Sequence, residues 1–210
     1  FAWITCPDVL ARFVRDATIT GFSVPWAVPA EPGEGEALVS GQAVQVNGRV
    51  VLEEFTFAAR QVPQVQEIAR WLSAEALPVG AAYQYWRDAL SQRLVILRSD
   101  VFRDFTTFAT EVVTRIRLNT QTKTVAQGAL WSEENLPADS LLYAPLMATR
   151  GRRRPAGSNG QGGSGSNAGA RPATGSEILQ RLQKLNLTHV QVGGNETVGR
   201  GIMSVRLQVR

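Results

Sequence analysis

The chain has 210 residues, a formal net charge of +4 and 44% hydrophobic residues, which suits one domain, or one domain with insertions, built on a real core. Its one cysteine and one histidine exclude an internal disulfide, a cysteine zinc site and a histidine-rich centre, so any metal would need Asp or Glu oxygens, hence magnesium or manganese. No apolar run approaches a membrane span, nothing resembles a signal peptide, and a reducing cytoplasm is the expected setting for a mildly basic chain that admits an acidic partner.

Phe1-Ala2-Trp3-Ile4-Thr5 reads as a strand already under way. Termini are usually polar and frayed, so a chain lacking an N-terminal part is expected. Residues 7–17 suit a helix, with Pro7 in the first position and Val9, Leu10, Phe13 and Val14 on one face. Three prolines and two glycines mark 25–35 as a loop. Val44-Gln45-Val46, Asn47-Gly48 and 50–57 predict a hairpin around a type I′ turn. A helix follows over 63–77, with Val65, Ile68, Ala69, Leu72 and Ala76 on its stripe and Pro78 ending it. Leu94-Val95-Ile96-Leu97 predicts a buried strand, and Asp100 a cap for a helix with Val101, Phe102, Phe105 and Phe108 inside.

In the next stretch Thr114, Ile116 and Leu118 alternate with Arg115 and Arg117, up to a polar break at Asn119-Thr120-Gln121-Thr122. A returning strand over 123–131 makes this a projecting hairpin, with both arginines on one face and Lys123 near the tip. Glu133 and Glu134 then place two carboxylates beside the base of a cationic arm; such residues also occur as plain solvated surface.

Arg150, Arg152, Arg153 and Arg154 form the densest basic cluster, either a mobile phosphate-seeking patch or a solubilising border. The Gly/Ser/Asn-rich stretch 155–175 lacks apolar anchors and is expected to be a disordered insertion. Thr174-Gly175-Ser176-Glu177 has capping-box spacing, and Ile178, Leu179, Leu182 and Leu185 continue an amphipathic helix. His189, at a strand start, reads as structural.

Last comes a glycine-rich loop, Gly193 to Gly201, between a strand containing Val190 and Val192 and one in which Met203, Val205, Leu207 and Val209 alternate with polar residues. Glycines at 193, 194, 199 and 201 let backbone N–H groups turn outward and approach a ligand. A mononucleotide loop should open a helix, with Gly-Lys-Ser/Thr in the Walker case. A strand follows here and that signature is absent, which disfavours a small-nucleotide enzyme. The loop either tracks a nucleic-acid backbone or serves only the fold.

Three blocks together resemble a known family: Phe1-Ala2-Trp3-Ile4-Thr5-Cys6-Pro7; residues 110–137, especially Thr122-Lys123-Thr124-Val125, Gly128-Ala129-Leu130-Trp131 and Glu133-Glu134-Asn135-Leu136-Pro137; and Gly193-Gly194-Asn195-Glu196-Thr197-Val198-Gly199-Arg200-Gly201. The chain resembles the RAMP-superfamily backbone subunits of type III-B CRISPR effector complexes, the fourth-subunit family of the Cmr complex. The likeness implies an α+β fold: a ferredoxin-like (RRM-like) palm, here a partial RAMP domain over 1–210, with a protruding β-hairpin thumb at 111–137. It implies copies of the subunit polymerising along a CRISPR RNA beside other Cmr subunits, each thumb displacing one nucleotide of the guide–target duplex.

It also implies RNA contacts at Arg115, Arg117, Lys123, Gly193, Gly194, Asn195, Thr197 and Arg200. In the family the subunit is a metal-dependent endoribonuclease, using Mg2+ or Mn2+, that cuts the single-stranded target RNA at regular intervals. Its principal catalytic aspartate is expected in the N-terminal part that this chain lacks, so the chain alone is expected to be inactive. The best match to the acidic residue after the thumb is Glu133, with Glu134 adjacent; the aromatic frequent near the Asn135 position is missing. A non-catalytic RNA-binding scaffold of the same superfamily is the alternative, which thumb and glycine loop serve equally well.

Deleting residues 158–170 should leave folding and RNA binding nearly intact, because loop closure changes by only about 0.6 kcal/mol per doubling of length. Thermal melts of the two proteins compare them directly, and loss of soluble protein would show the stretch to be structured.

Overall fold

A computed structural model describes residues 1–151 and 171–208. Arg152, Arg153 and Arg154 of the basic cluster, and residues 155–170 of the insertion expected over 155–175, lie outside the described residues. The chain divides into two compact units, one of residues 1–16 and 23–143, the other of 17–22 and the chain from Ala144 onward.

The first unit contains β1 (Trp3–Thr5), α1 (Pro7–Ile19) up to Asp16, β2 (Glu36–Val39), β3 (Arg49–Leu52), β4 (Phe55–Gln61), α2 (Pro63–Glu75), α3 (Gln84–Arg93), β5 (Leu94–Ile96) and α4 (Ser99–Phe108). Five strands form a mixed sheet in the order β1-β5-β2-β4-β3. β1/β5 and β2/β4 run parallel, and β2/β5 and β3/β4 antiparallel. This is the α+β, ferredoxin-like palm.

Side-chain alternation divides the core between the two faces of the sheet. On one face Trp3, Leu38, Leu94 and Ile96 pack with Leu10 of α1, Val65, Ile68 and Ala69 of α2, and Ala89 and Leu90 of α3. Trp26 joins them, stacked on Phe13 and edge-on to Trp71. On the other face Ala37, Val39, Val50, Phe57, Val95 and Leu97 meet Val101, Phe102 and Phe105 of α4. Burial on both faces is why Leu94 to Leu97 reads as an unbroken apolar run.

Four readings are corrected. Asn47 and Gly48 do turn, both at positive φ, but they close a single bridge between Val46 and Arg49. The main hairpin turns at Glu53-Glu54, splitting the strand expected over 50–57, because Gln42–Val44 winds into a 3₁₀ turn and leaves little strand to pair. Asp100 lies inside α4 and bonds Arg98; the carboxylate of Glu31, 68 residues away, takes the Ser99 amide at 2.7 Å. Phe108, the last residue of α4, is 81% exposed and stands outside the cluster that Val101, Phe102 and Phe105 join. Helix α3 lacked a clear stripe in the sequence.

On the surface Arg60 binds Glu36 and, with the Gly33 amide, holds its carboxyl below the usual carboxylate range. In the interior, β2 is continued by Ser40, which is fully buried. Its amide donates to the Leu94 carbonyl and its Oγ accepts from the Leu94 amide, both at 3.0 Å. Ser40→Ala strands the buried Leu94 N–H, so it should cost roughly 1–3 kcal/mol in a urea melt at unchanged m-value.

Candidate nucleic-acid interface

The hairpin is built from β6 (Glu111–Leu118) and β7 (Val125–Asn135). Pairing runs Glu111 with Asn135, Val113 with Glu133, Arg115 with Trp131 and Ile116 with Leu130. From there two residues along β6 match five along β7, to Leu118 opposite Val125. The surplus is a bulge on β7 containing Gly128 at φ +70°.

Directly opposed residues share a face. Val113, Arg115, Trp131 and Glu133 therefore lie on one side, and Val112, Ile116, Leu130 and Glu134 on the other. Ala129 is the buried hydrophobic residue of the hairpin, while Val112, Ile116, Leu118, Leu130 and Trp131 are exposed.

Glu133 ties the first face together. Its Oε2 accepts from Arg115 Nε at 3.1 Å and its Oε1 from the Trp131 indole N–H at 2.9 Å. The two glutamates are thus members of β7 with different partners, since Glu134 accepts the Thr110 hydroxyl. Asn135 sits beside Glu111 with its amide nitrogen buried and unpartnered among the described residues.

At the tip the chain turns on its own hydrogen bonds. Asn119 Oδ1 accepts from the Gln121 amide at 2.9 Å, the Asn119 amide donates to Thr124 O at 2.8 Å, and Lys123 takes φ +58°. Arg117 and Lys123 make no ion pair among the described residues, whereas Arg115 is held by Glu133. All the hairpin's carboxylates (Glu111, Glu133 and Glu134) lie at its base, and none occurs from 116 to 130.

Two features of the site were not expected from the sequence. The clamp on Arg115 went unseen because it depends on cross-strand register. Trp131 was not among the expected site residues, although its place two positions before Glu133 on a strand was a usable signal.

In the second unit α5 (Gly175–Lys184) starts on the predicted capping box: Thr174 Oγ1 accepts from the Glu177 amide and Glu177 accepts from the Thr174 amide. Gly175, counted with the insertion, is the first residue of this helix. A Cβ there would meet the Ala148 carbonyl.

The glycine loop joins β8 (His189–Gln191) to β9 (Ile202–Ser204). Among the described residues regular pairing stops at Ser204, short of the alternation expected to continue through Val205 and Leu207; Val209 lies outside the described residues. The loop curls inward: the Val192 amide donates to Gly201 O at 2.9 Å, and the amides of Val198 and Arg200 to Asn195 O at 3.1 and 3.2 Å. These amides are spent inside the loop, so only the rest of it can turn N–H groups outward. The exposed Gly193-Gly194 backbone remains open to a ligand, with Thr197 exposed beyond it.

Among the described residues, no three His, Cys, Asp or Glu side chains come together to hold a metal, and no helix is long and apolar enough to cross a membrane. Glu133 and Glu134 face opposite ways, and each has a donor. The described residues do not fit a divalent ion on their own.

The family model described as RAMP superfamily matches residues 36–204. The CRISPR system Cmr endoribonuclease Cmr4 of Pyrococcus furiosus is 30% identical over 209 residues, covering 99% of this chain and 62% of that protein. The Cmr4 subunit of Saccharolobus solfataricus is 30% identical over 117 residues, 56% of this chain and 31% of the other. The crystal structure of oligomeric Cmr4 from Pyrococcus furiosus superposes with a TM-score of 0.57 at 20% identity, over 97% of this chain and 63% of that one. A type III-B Cmr-beta complex bound to cognate target RNA holds a chain of the same fold, with TM-score 0.56 at 17% identity, over 98% of this chain and 60% of that one. The chain thus spans less than two thirds of the length of these relatives.

Gly201 has φ +74°, and a Cβ there would run into the Val192 carbonyl oxygen. Gly201→Ala should therefore open the loop, at a cost of at least about 1 kcal/mol for the left-handed conformation alone. Amide hydrogen exchange at Val192 reads this directly: protection should fall, and an unchanged rate would show that the Gly201 bond does not close the loop.

Proposed function

Because this chain belongs to the RAMP superfamily, we propose that it serves as a repeating backbone subunit of a type III-B CRISPR ribonucleoprotein. In this role it binds CRISPR RNA and cleaves the complementary target RNA at regular intervals in antiviral defence. The observation that carries the reading is the 30% identity to a Cmr endoribonuclease along 99% of the chain. Its partners are CRISPR RNA, single-stranded target RNA, further copies of itself and other Cmr subunits, in the cytoplasm.

The chemistry of the hairpin supports sequence-independent RNA binding. Arg117 and Lys123 meet phosphates, while guide pairing reads the target sequence. Arg115 lends its charge to fixing Glu133 and contributes less. On the glycine loop, Gly193 and Gly194 give close backbone approach, and Asn195, Thr197 and Arg200 flank it. Cleavage draws on positioning: a displaced nucleotide whose 2′-hydroxyl is held in line with the adjacent phosphate is already advanced toward the transition state. Glu133 enters the chemistry as a proton acceptor only if it loosens its hold on Arg115 or Trp131. That engagement favours a second reading, in which the chain is a non-catalytic RNA-binding scaffold. No divalent-ion step is derived, since these residues do not provide the ligands.

Arg117→Ala with Lys123→Ala should lower the slope of log affinity against log salt by roughly 0.7 per lost contact in a filter-binding titration with guide RNA. An unchanged slope removes both from the RNA interface. In the subunit assembled on guide RNA, Glu133→Gln removes the base and keeps one acceptor oxygen for the two donors of Arg115 and Trp131. If Glu133 accepts the proton, target cleavage should slow by roughly 10²-fold or more with target binding retained, Glu134→Gln doing less. Equal rates for wild type and Glu133→Gln leave the scaffold reading standing.

A further inference from the structure

We propose that Trp131 is a stacking platform for an unpaired RNA base, its ring held in place by Glu133. The inference rests on the RNA-binding reading above and assigns it a residue. Of the five tryptophans, Trp3, Trp26, Trp71 and Trp86 each pack against at least one other aromatic ring. Trp131 has no ring partner among the described residues and is 45% exposed. Its indole N–H is nevertheless fixed at 2.9 Å on Glu133, whose other oxygen takes Arg115 from the opposite strand. An exposed apolar ring with a fixed orientation gains nothing for the isolated fold. For a ligand it is pre-organised, because that hydrogen bond leaves less rotamer freedom to lose on stacking.

The surroundings name the ligand. From Trp131 toward the tip the ionisable side chains are Arg117 and Lys123, and the stretch from 116 to 130 holds no carboxylate. Arg117 lies about 7 Å further along β6 than Arg115, at the rise of an extended strand. A flat aromatic beside cationic side chains on one arm is the arrangement that takes single-stranded nucleic acid, the ring for a base and the cations for its phosphates. The apolar residues Ile116 and Leu130, which a protein partner would cover, lie on the opposite face. Glu133 is then a positioning residue for Trp131.

The test uses the whole chain and a short oligouridylate. Wild type should bind it with fluorescence quenching that is largely lost in Trp131→Phe, since the other four tryptophans pack against other rings, Trp86 being the most exposed of them at 36%. Trp131→Ala should bind roughly 5- to 150-fold more weakly, the range for one stacked base, with its salt slope unchanged because no phosphate contact is lost. Trp131→Phe, which keeps a stacking ring, should recover most of the affinity. Wild-type affinity in Trp131→Ala, or quenching that persists in Trp131→Phe, overturns the platform while leaving RNA binding intact. Should wild type fail to bind the oligonucleotide at low salt, the RNA-binding reading falls and the platform with it. If Trp131→Ala does not fold, the difference in quenching between wild type and Trp131→Phe decides alone.

Discussion

Strand β5 has no face to offer to water. Leu94 and Ile96 fill one side of the sheet, Val95 and Leu97 the other, and all four are buried. Each such side chain is worth about 1.5–3 kcal/mol of burial, so β5 must be covered above and below and paired along both edges. β1 pairs with one edge and β2 with the other, α1, α2 and α3 cover one face, and α4 covers the second. Ser40 carries the ladder one residue past the end of β2, because the Leu94 N–H is too deeply buried to be left without an acceptor.

The hairpin obeys a different constraint. Only Ala129 among its hydrophobic residues reaches burial, so hydrophobic packing does not fix its shape. Strand pairing and side-chain hydrogen bonds do that instead: the Asn119 turn at the tip, and at the base Glu133 on Arg115 and Trp131 and Glu134 on Thr110. Ion pairs on a surface are worth little as stability. Their value here is geometric, since one carboxylate sets the directions of a guanidinium and an indole on the same face. The opposite face leaves Val112, Ile116 and Leu130 in water, a pattern that the isolated chain does not need and an assembly would use.

Local patterns were legible and long-range partners were not. Pro7 at a helix start, the stripe of α2, the run 94–97 and the capping box at Thr174 each depend on a few neighbouring residues, and each was readable from them. The turn at 47–48 was read correctly, but it competed with a second turn six residues on, and the sheet used the second for its main hairpin. Asp100 had the right residue type for a cap, but Glu31 from a distant loop was better placed. In the hairpin, arginines, glutamates and tip were all visible. The pairing of Arg115 with Trp131 was not, because the bulge at Gly128 shifts the register and neither strand's alternation announces it. The glycine loop shows the same limit: its glycines signalled a tight backbone, while the direction of each N–H depended on which carbonyl closed the turn.

The two adjacent glutamates show how backbone geometry separates residues that sequence leaves equivalent. Successive strand residues point to opposite faces, so only one of Glu133 and Glu134 can lie with Arg115 and Trp131. Register gives that place to Glu133, opposite Val113, and turns Glu134 toward Val112 and Thr110. The two bonds from Arg115 and Trp131 use one acceptor site on each oxygen of Glu133, and at 17% exposure its side chain is the more sheltered member of the ion pair. A carboxylate in that position moves only with its partners. Any chemistry it performs is therefore tied to the placement of the ring and the guanidinium beside it, and a substitution at Glu133 acts on RNA positioning as well as on proton transfer.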